Sequence, residues 1–203
     1  MLVEVLELAN LEADPTIRKQ FLTFVVAGGG FTGCEIAGML REYIPFVIKS
    51  YFPLLNTADV SVNLVSSTPH LLPDLKDRLP WASRYAEKVF REDRTVRLYL
   101  GRKLKSVSFD EVVLDDGTQI ATRTVITCAG MHAVPVIQSL NIEKDSAQRI
   151  VTDCYCRVPS HPNVWAAGDC AAVPLKNGST APGLAIWAMT QGFLIGRNIS
   201  RSL

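Results

Sequence analysis

A run from Phe21 to Ala27, rich in Val and Phe, has the length and apolarity of a buried strand, and it stops at Gly28-Gly29-Gly30. Gly28, Gly30 and Gly33 fall in the spacing G-x-G-x-x-G, and Ile36, Ala37, Met39, Leu40 and Tyr43 follow with helical periodicity. Strand, tight turn and helix in that order leave few folds open, because the turn must lie at the carboxyl end of a strand with the helix packed back onto it. Gly28 can take the backbone angles that reverse the chain, Gly30 has no side chain to hold a ligand off, and Gly33 lets the helix lie close on the strand. The stretch Gly28, Gly29, Gly30, Phe31, Thr32 and Gly33 therefore offers a pyrophosphate bare first-turn amides, to which the helix dipole adds roughly 0.3–1 kcal/mol of attraction. This is the expected dinucleotide site; a glycine turn that only packs a helix tightly is the plainer alternative.

At 203 residues and 48% hydrophobic, the chain can bury a core and hold one large or two small domains. A net charge of +1 without a basic block argues against nucleic acid or an anionic membrane surface as the main partner. The opening MLVEVLELANLEADP has acids where a signal peptide needs bases, and no apolar run approaches the ~18 residues of a membrane span, so a cytoplasmic chain is expected. Cys34, Cys128, Cys154, Cys156 and Cys170 include no C-x-x-C pair and read as free thiols, and His70, His132 and His161 are scattered, so no metal site is expected.

Along the chain, residues 1–20 read as an exposed lead-in helix, with Asp14-Pro15-Thr16 as a helix start. The helix after the glycines should run from about Phe31 to Ile44, where Pro45 either kinks it or begins another. Val60 to Val65 is the second strand. An Asp or Glu at its end, about 20 residues past the glycines, binds ribose hydroxyls in many dinucleotide folds. Ser66 stands there instead, 38 residues past Gly28. A hydroxyl can bond a ribose without repelling a 2′-phosphate, and no Arg follows Ser66 to attract one, so NADH and NADPH both remain open.

Residues 76–93 form an amphipathic helix carrying Trp81, Tyr85, Val89 and Phe90, and Val96 to Leu100 the next strand. Short strands at 104–109, 112–114 and from Ile120, joined through Asp115-Asp116-Gly117, make a β-meander. Thr124 to Cys128 is another buried strand, ending at Ala129-Gly130, where backbone is again laid bare. Arg149 to Asp153 and Asn163 to Ala167 read as strands, the second ending in Gly168-Asp169, and residues 181–200 as a final helix.

With those pieces placed, the chain resembles the pyridine-nucleotide flavin oxidoreductases, and most closely the single-subunit, non-proton-pumping (type II) NADH:quinone dehydrogenases. The resemblance rests on LTFVVAGGGFTGCEIAG at 22–38, VNLVSSTPHLLPDL at 62–75, VVLDDGTQIATRTVITCAG at 112–130 and RVPSHPNVWAAGDCAAVP at 157–174. It implies an α/β fold: a Rossmann-like NAD(P)-binding unit of three layers, with its β-meander, at 21–132, and part of an FAD-binding domain at 133–203. It also implies FAD and NAD(P)H as cofactors, hydride passing from one to the other, and a quinone-like acceptor. Asp169, beside Gly168, would bond the flavin's ribityl chain, and Glu35 matches an acid near the nicotinamide and flavin rings; ordinary helix stabilisation is the plainer role for Glu35. Ala185-Ile186 stands where family members carry Ala-Gln near the flavin, while Gln191-Gly192 matches the family.

A first, flavin-binding glycine fingerprint lies well upstream of the NAD unit in this family, and membrane-binding helices and dimer contacts lie downstream. The chain thus reads as a fragment of a homodimeric parent peripheral on the inner face of the cell membrane. A disulfide or ferredoxin reductase of the same superfamily, and a nucleotide-binding module without turnover, are the competing readings.

Overall fold

The computed structural model describes residues 2–75, 79–128, 130 and 134–202, and it divides into two compact units, Met1–Gly130 and Met131–Leu203. The expected single lead-in helix is two helices, α1 (Leu2–Leu11) and α2 (Pro15–Phe21). The break lies where the sequence places a helix start. Asp14 Oδ1 accepts from Thr16 N at 2.7 Å and Ile17 N at 3.4 Å, and Pro15 occupies the first-turn position where a missing N–H costs nothing. Nor are these helices wholly exposed, since Leu6 and Ala9 of α1 are buried in the main core.

Strand β1 (Thr23–Ala27) is buried along its whole length and leads through the glycines into α3 (Phe31–Tyr51). The helix neither stops nor restarts at Pro45. Losing one main-chain bond there costs about 3 kcal/mol, while Ile44, Val47 and Ile48 are buried around it, each contributing about 1.5–3 kcal/mol, so packing outweighs the proline. Then come β2 (Ser61–Ser66), α4 (Pro80–Glu92) and β3 (Val96–Leu100). The expected helix at 76–93 is described only from Leu79 onward, and its buried face is Ser83 and Phe90, whereas Trp81 and Tyr85 are 62% and 65% exposed. Ser83 earns its buried place by donating to Leu71 O at 2.6 Å.

After β3 the chain makes an antiparallel meander of β4 (Leu104–Val107), β5 (Glu111–Leu114) and β6 (Gln119–Ala121), then returns as β7 (Thr124–Thr127). The principal sheet is parallel, in the order β3-β2-β1-β7. Its side chains alternate between two cores. Phe24, Val26, Val62 and Leu64 pack with α1, α3 and α4, while Val25 and Val65 pack with Val112, Leu114 and Ile120 of the meander. Helices, sheet and meander are three layers, and a sheet buried on both faces accounts for the near-continuous apolar reading of β1 and β2.

In the second unit, α5 (Pro135–Ser139) precedes the short strands β8 (Ile150–Val151), β9 (Arg157–Val158), β10 (His161–Trp165) and β11 (Ala171–Ala172), and α6 (Ala185–Ser202) closes the chain. The strand expected over 149–153 shortens because Asp153 Oδ1 accepts from Tyr155 N and Arg157 N, both at 2.8 Å, which turns the chain. The strand expected over 163–167 lies two residues earlier. Helix α6 begins after 181 because Ala181 N is bonded to Val173 O at 2.9 Å, a strand-like partner. Ile150, Cys156, Val158, Ala166, Ala171, Val173 and Ala181 form the core, on which Trp187, Leu194 and Ile195 of α6 pack.

One buried hydroxyl ties the first unit's edge together. Thr122 Oγ1, 1% exposed, donates to Thr23 O at 2.5 Å and accepts from Thr124 N at 3.1 Å. Thr122→Val keeps the shape and strands both partners, so urea unfolding should show a loss of about 1–3 kcal/mol.

Candidate functional site

Strands β1, β2 and β3 step outward to one side of the sheet and β7 lies on the other side of β1, so the strand order reverses between β1 and β7. In open α/β sheets a crevice forms at that reversal, at the carboxyl ends of the strands. The glycine turn occupies one lip. Ala27 pairs with Thr127, and Cys128 N donates to Ala27 O at 2.7 Å, which brings the end of β7 alongside as the other lip. Gly130 (φ 80°) lies on that segment; Ala129, also expected to bind, lies outside the described residues.

Each glycine meets a distinct constraint. Gly28 (φ 131°) donates to Val65 O at 2.8 Å, which only a residue tolerant of positive φ can do here. A Cβ on Gly33 would stand 1.7 Å from Gly28 O, so the helix touches the turn with no room for a methyl. Gly29, to which sequence reasoning gave no separate task, is equally confined: a Cβ there would stand 2.4 Å from Ser66 Oγ. Gly30, by contrast, has ordinary extended angles (φ −78°, ψ −168°) and nothing within 4 Å of its would-be Cβ. Its carbonyl accepts the first helical bond, from Cys34 N at 3.0 Å, so the amides of Phe31, Thr32 and Gly33 precede the ladder and point out of the helix end. The result, among the described residues, is an open space faced by N–H groups that have no helical partner and by the positive end of a 21-residue helix.

Ser66 is placed beneath this turn, not at its mouth. It is 2% exposed, and because Thr68 Oγ1 donates to His70 O at 2.7 Å, the Ser66 hydroxyl donates to Thr68 Oγ1 at 2.9 Å. There its side chain fills the space under Gly29. Glu35 is exposed on the second turn of α3 and helps line an apolar groove of about 300 Å³ between α3 and α4, with Phe31, Cys34, Leu72, Tyr85 and Phe90. Burial pushes the Cys34 thiol up to about 11, with the Glu35 charge adding to the rise and the Leu72 backbone opposing it. That thiol stays protonated and unreactive at neutral pH. All five cysteines are free, and among the described residues no group of three or more His, Cys, Asp or Glu could hold a metal ion.

In the second unit, Gly168 (φ 68°) opens a 3-10 turn, Gly168–Cys170, that holds Asp169 exposed. A Cβ at Gly168 would stand 3.3 Å from Ala188 Cβ, and Gly168 N donates to Gln191 Oε1 at 2.7 Å. Gln191, 5% exposed, thus fastens the turn to α6. Its signal in the sequence was a polar residue on the same helix face as Trp187, Leu194 and Ile195. Ala185 is the exposed first residue of α6.

These contacts separate two glycines that look alike in the sequence. Gly33→Ala should cost at least about 1–3 kcal/mol in urea denaturation, since the clash is with backbone, while Gly30→Ala should leave the midpoint essentially unchanged.

A family model described as "Pyridine nucleotide-disulphide oxidoreductase" matches residues 3–192. A probable NADH dehydrogenase of Dictyostelium discoideum is 29% identical over 87% of this chain and 38% of its own length. A type II NADH:quinone oxidoreductase of Mycobacterium tuberculosis is 28% identical over 97% of this chain and 42% of its own. Among solved structures, a water-forming NADH oxidase from Lactobacillus brevis bound to NADH superposes with a TM-score of 0.65 at 24% identity, over 87% of this chain and 36% of that one, which shows the shared fold. The chain therefore spans less than half the length of the relatives it matches. With nearly its whole length inside the family model and its parallel sheet and glycine turn in the matching fold, this chain belongs to the pyridine nucleotide-disulphide oxidoreductase family.

Proposed function

We propose that this chain is the NAD(P)H-binding unit, with part of the FAD-binding domain, of a flavin-dependent NAD(P)H dehydrogenase whose electrons go on to a quinone-like acceptor. The observation that carries the reading is the cradle at the strand-order reversal: first-turn amides at Phe31, Thr32 and Gly33, and, among the described residues, nothing within 4 Å of a would-be Cβ at Gly30. Residues 21–132 would hold the dinucleotide and 133–203 would contribute to flavin binding. Its relatives, a probable NADH dehydrogenase and a type II NADH:quinone oxidoreductase, support the same reading.

In this reading the bound nicotinamide and flavin supply the hydride chemistry, and the residues of the chain bind, orient and shield. The amides of Gly28 to Gly33 take the pyrophosphate, and Gly130 keeps the β7 lip free of a side chain. Glu35, exposed on the second turn of α3, orients the nicotinamide end. Asp169 is exposed on a turn fixed by Gln191, which fits a carboxylate that accepts from a sugar-like hydroxyl chain. Ala185 leaves room beside it at the start of α6. A quinone-like acceptor dissolved in lipid would place the whole protein on a membrane surface, as a homodimer on the cytoplasmic side. Among the described residues no helix is long and apolar enough to cross a membrane, which suits peripheral attachment.

The test is a fluorescence titration of this chain with NADH and NADPH, alongside Gly30→Ala. The wild-type chain should bind, and Gly30→Ala should weaken binding about tenfold or more with its urea midpoint unchanged, because the added methyl fills ligand space only. A folded wild-type chain that binds neither nucleotide would sink the proposal.

A further inference from the structure

The sequence shows no basic residue directly after Ser66, but the fold delivers one from the next strand. Ser66 pairs with Leu100 at the ends of β2 and β3. Gly101 then takes a positive φ (67°), which folds the chain back across the end of β2. Gly101 N donates to Thr68 O at 2.9 Å and Arg102 N to Ser66 O at 2.8 Å. The end of β2 is where dinucleotide folds meet the adenosine ribose, with a carboxylate there selecting a free 2′-hydroxyl and an Arg accommodating a 2′-phosphate. Here the carboxylate is missing, the Ser66 hydroxyl is turned inward, and an Arg is bonded through its own backbone to that residue.

We propose that Arg102 is a specificity-determining residue that receives the 2′-phosphate of NADPH, so that the site accepts NADPH as well as NADH. This rests on the reading of the glycine turn as a dinucleotide site. The guanidinium is held by Asp116 of the meander turn, Nε to Oδ2 at 2.7 Å, with the two side chains 45% and 33% exposed. A pair this open to water is weak and screened by salt. A phosphate, which can bind a guanidinium through two parallel hydrogen bonds and carries more charge than a carboxylate, competes for it. Asp116 does not depend on Arg102 for its position, since its Oδ1 accepts from Thr118 N at 3.0 Å. The acid on the opposite side of the β2 loop, Glu87, is already engaged by Leu71 N at 3.1 Å and His70 Nδ1 at 3.3 Å. Arg102, whose ion pair is open to water, is thus the positive charge placed to exchange Asp116 for a phosphate at the ribose.

Titrations of the full chain with NADPH and with NADH, in low salt, decide it. Arg102→Gln should weaken NADPH about tenfold or more and leave NADH within about twofold, the loss expected for one charge-assisted contact. Asp116→Asn keeps an acceptor for Thr118 N and releases Arg102, so it should tighten NADPH about threefold without changing NADH. Both variants are surface changes, and urea midpoints check that they fold. Equal weakening of both nucleotides by Arg102→Gln, or an unchanged ratio, would overturn the inference, because Arg102 would then be structural. Wild-type chain that binds NADH but not NADPH also overturns it while the dinucleotide reading stands; binding of neither removes both.

Discussion

The fold of the first unit turns on one close approach, that of Gly33 to the carbonyl of Gly28, where even a methyl carbon would stand 1.7 Å from oxygen. That contact sets how near α3 lies to β1, and it fixes the angle at which the helix leaves the sheet. Because the helix starts there, its first amides precede the helical ladder and lie at the crevice beside β7. Gly29 seats the turn on Ser66 from below, and Leu72 N bonds Gly29 O at 2.8 Å, so the loop after β2 is locked to the same point. Packing and ligand geometry are therefore one constraint, not two.

The rest of the first unit holds that turn in place. The parallel sheet is covered on one face by α1, α3 and α4 and on the other by the meander, and the alternation of Phe24, Val25 and Val26 divides β1 between them. Since β7 joins the sheet beside β1 and not beside β3, a crevice must open at the glycine end. In the second unit the same economy recurs on a smaller scale: a positive-φ glycine, a short turn that exposes a carboxylate, and a helix fastened to it by a buried glutamine.

Much of this was legible in the sequence wherever the cause is local. The apolar run before the glycines, the Asp14-Pro15 helix start and the order of strands through the meander need only neighbours a few residues away. The failures have distant causes. Pro45 did not interrupt α3 because the core around Ile44 and Ile48 outweighs a lost hydrogen bond. Ser66 sits where a ribose ligand belongs by position, but its hydroxyl was claimed by Thr68, which periodicity cannot show. Arg102 follows a different strand from Ser66, so scanning along β2 could not find it; only the register of β2 with β3 and the left-handed turn at Gly101 bring them together. Trp81 and Tyr85 fit a helical stripe but lie outside the face that α4 turns to the sheet.

An amide-resolved NMR titration of this chain with NADH is the most direct measurement. The largest shift changes should fall on Gly30 to Gly33, with smaller ones at the ends of β2 and β7, around Ser67 and Gly130. Changes concentrated instead at the opposite end of the strands, in the cavity lined by Lys19, Asn63 and Arg97, would contradict the assignment of the glycine turn as the nucleotide cradle.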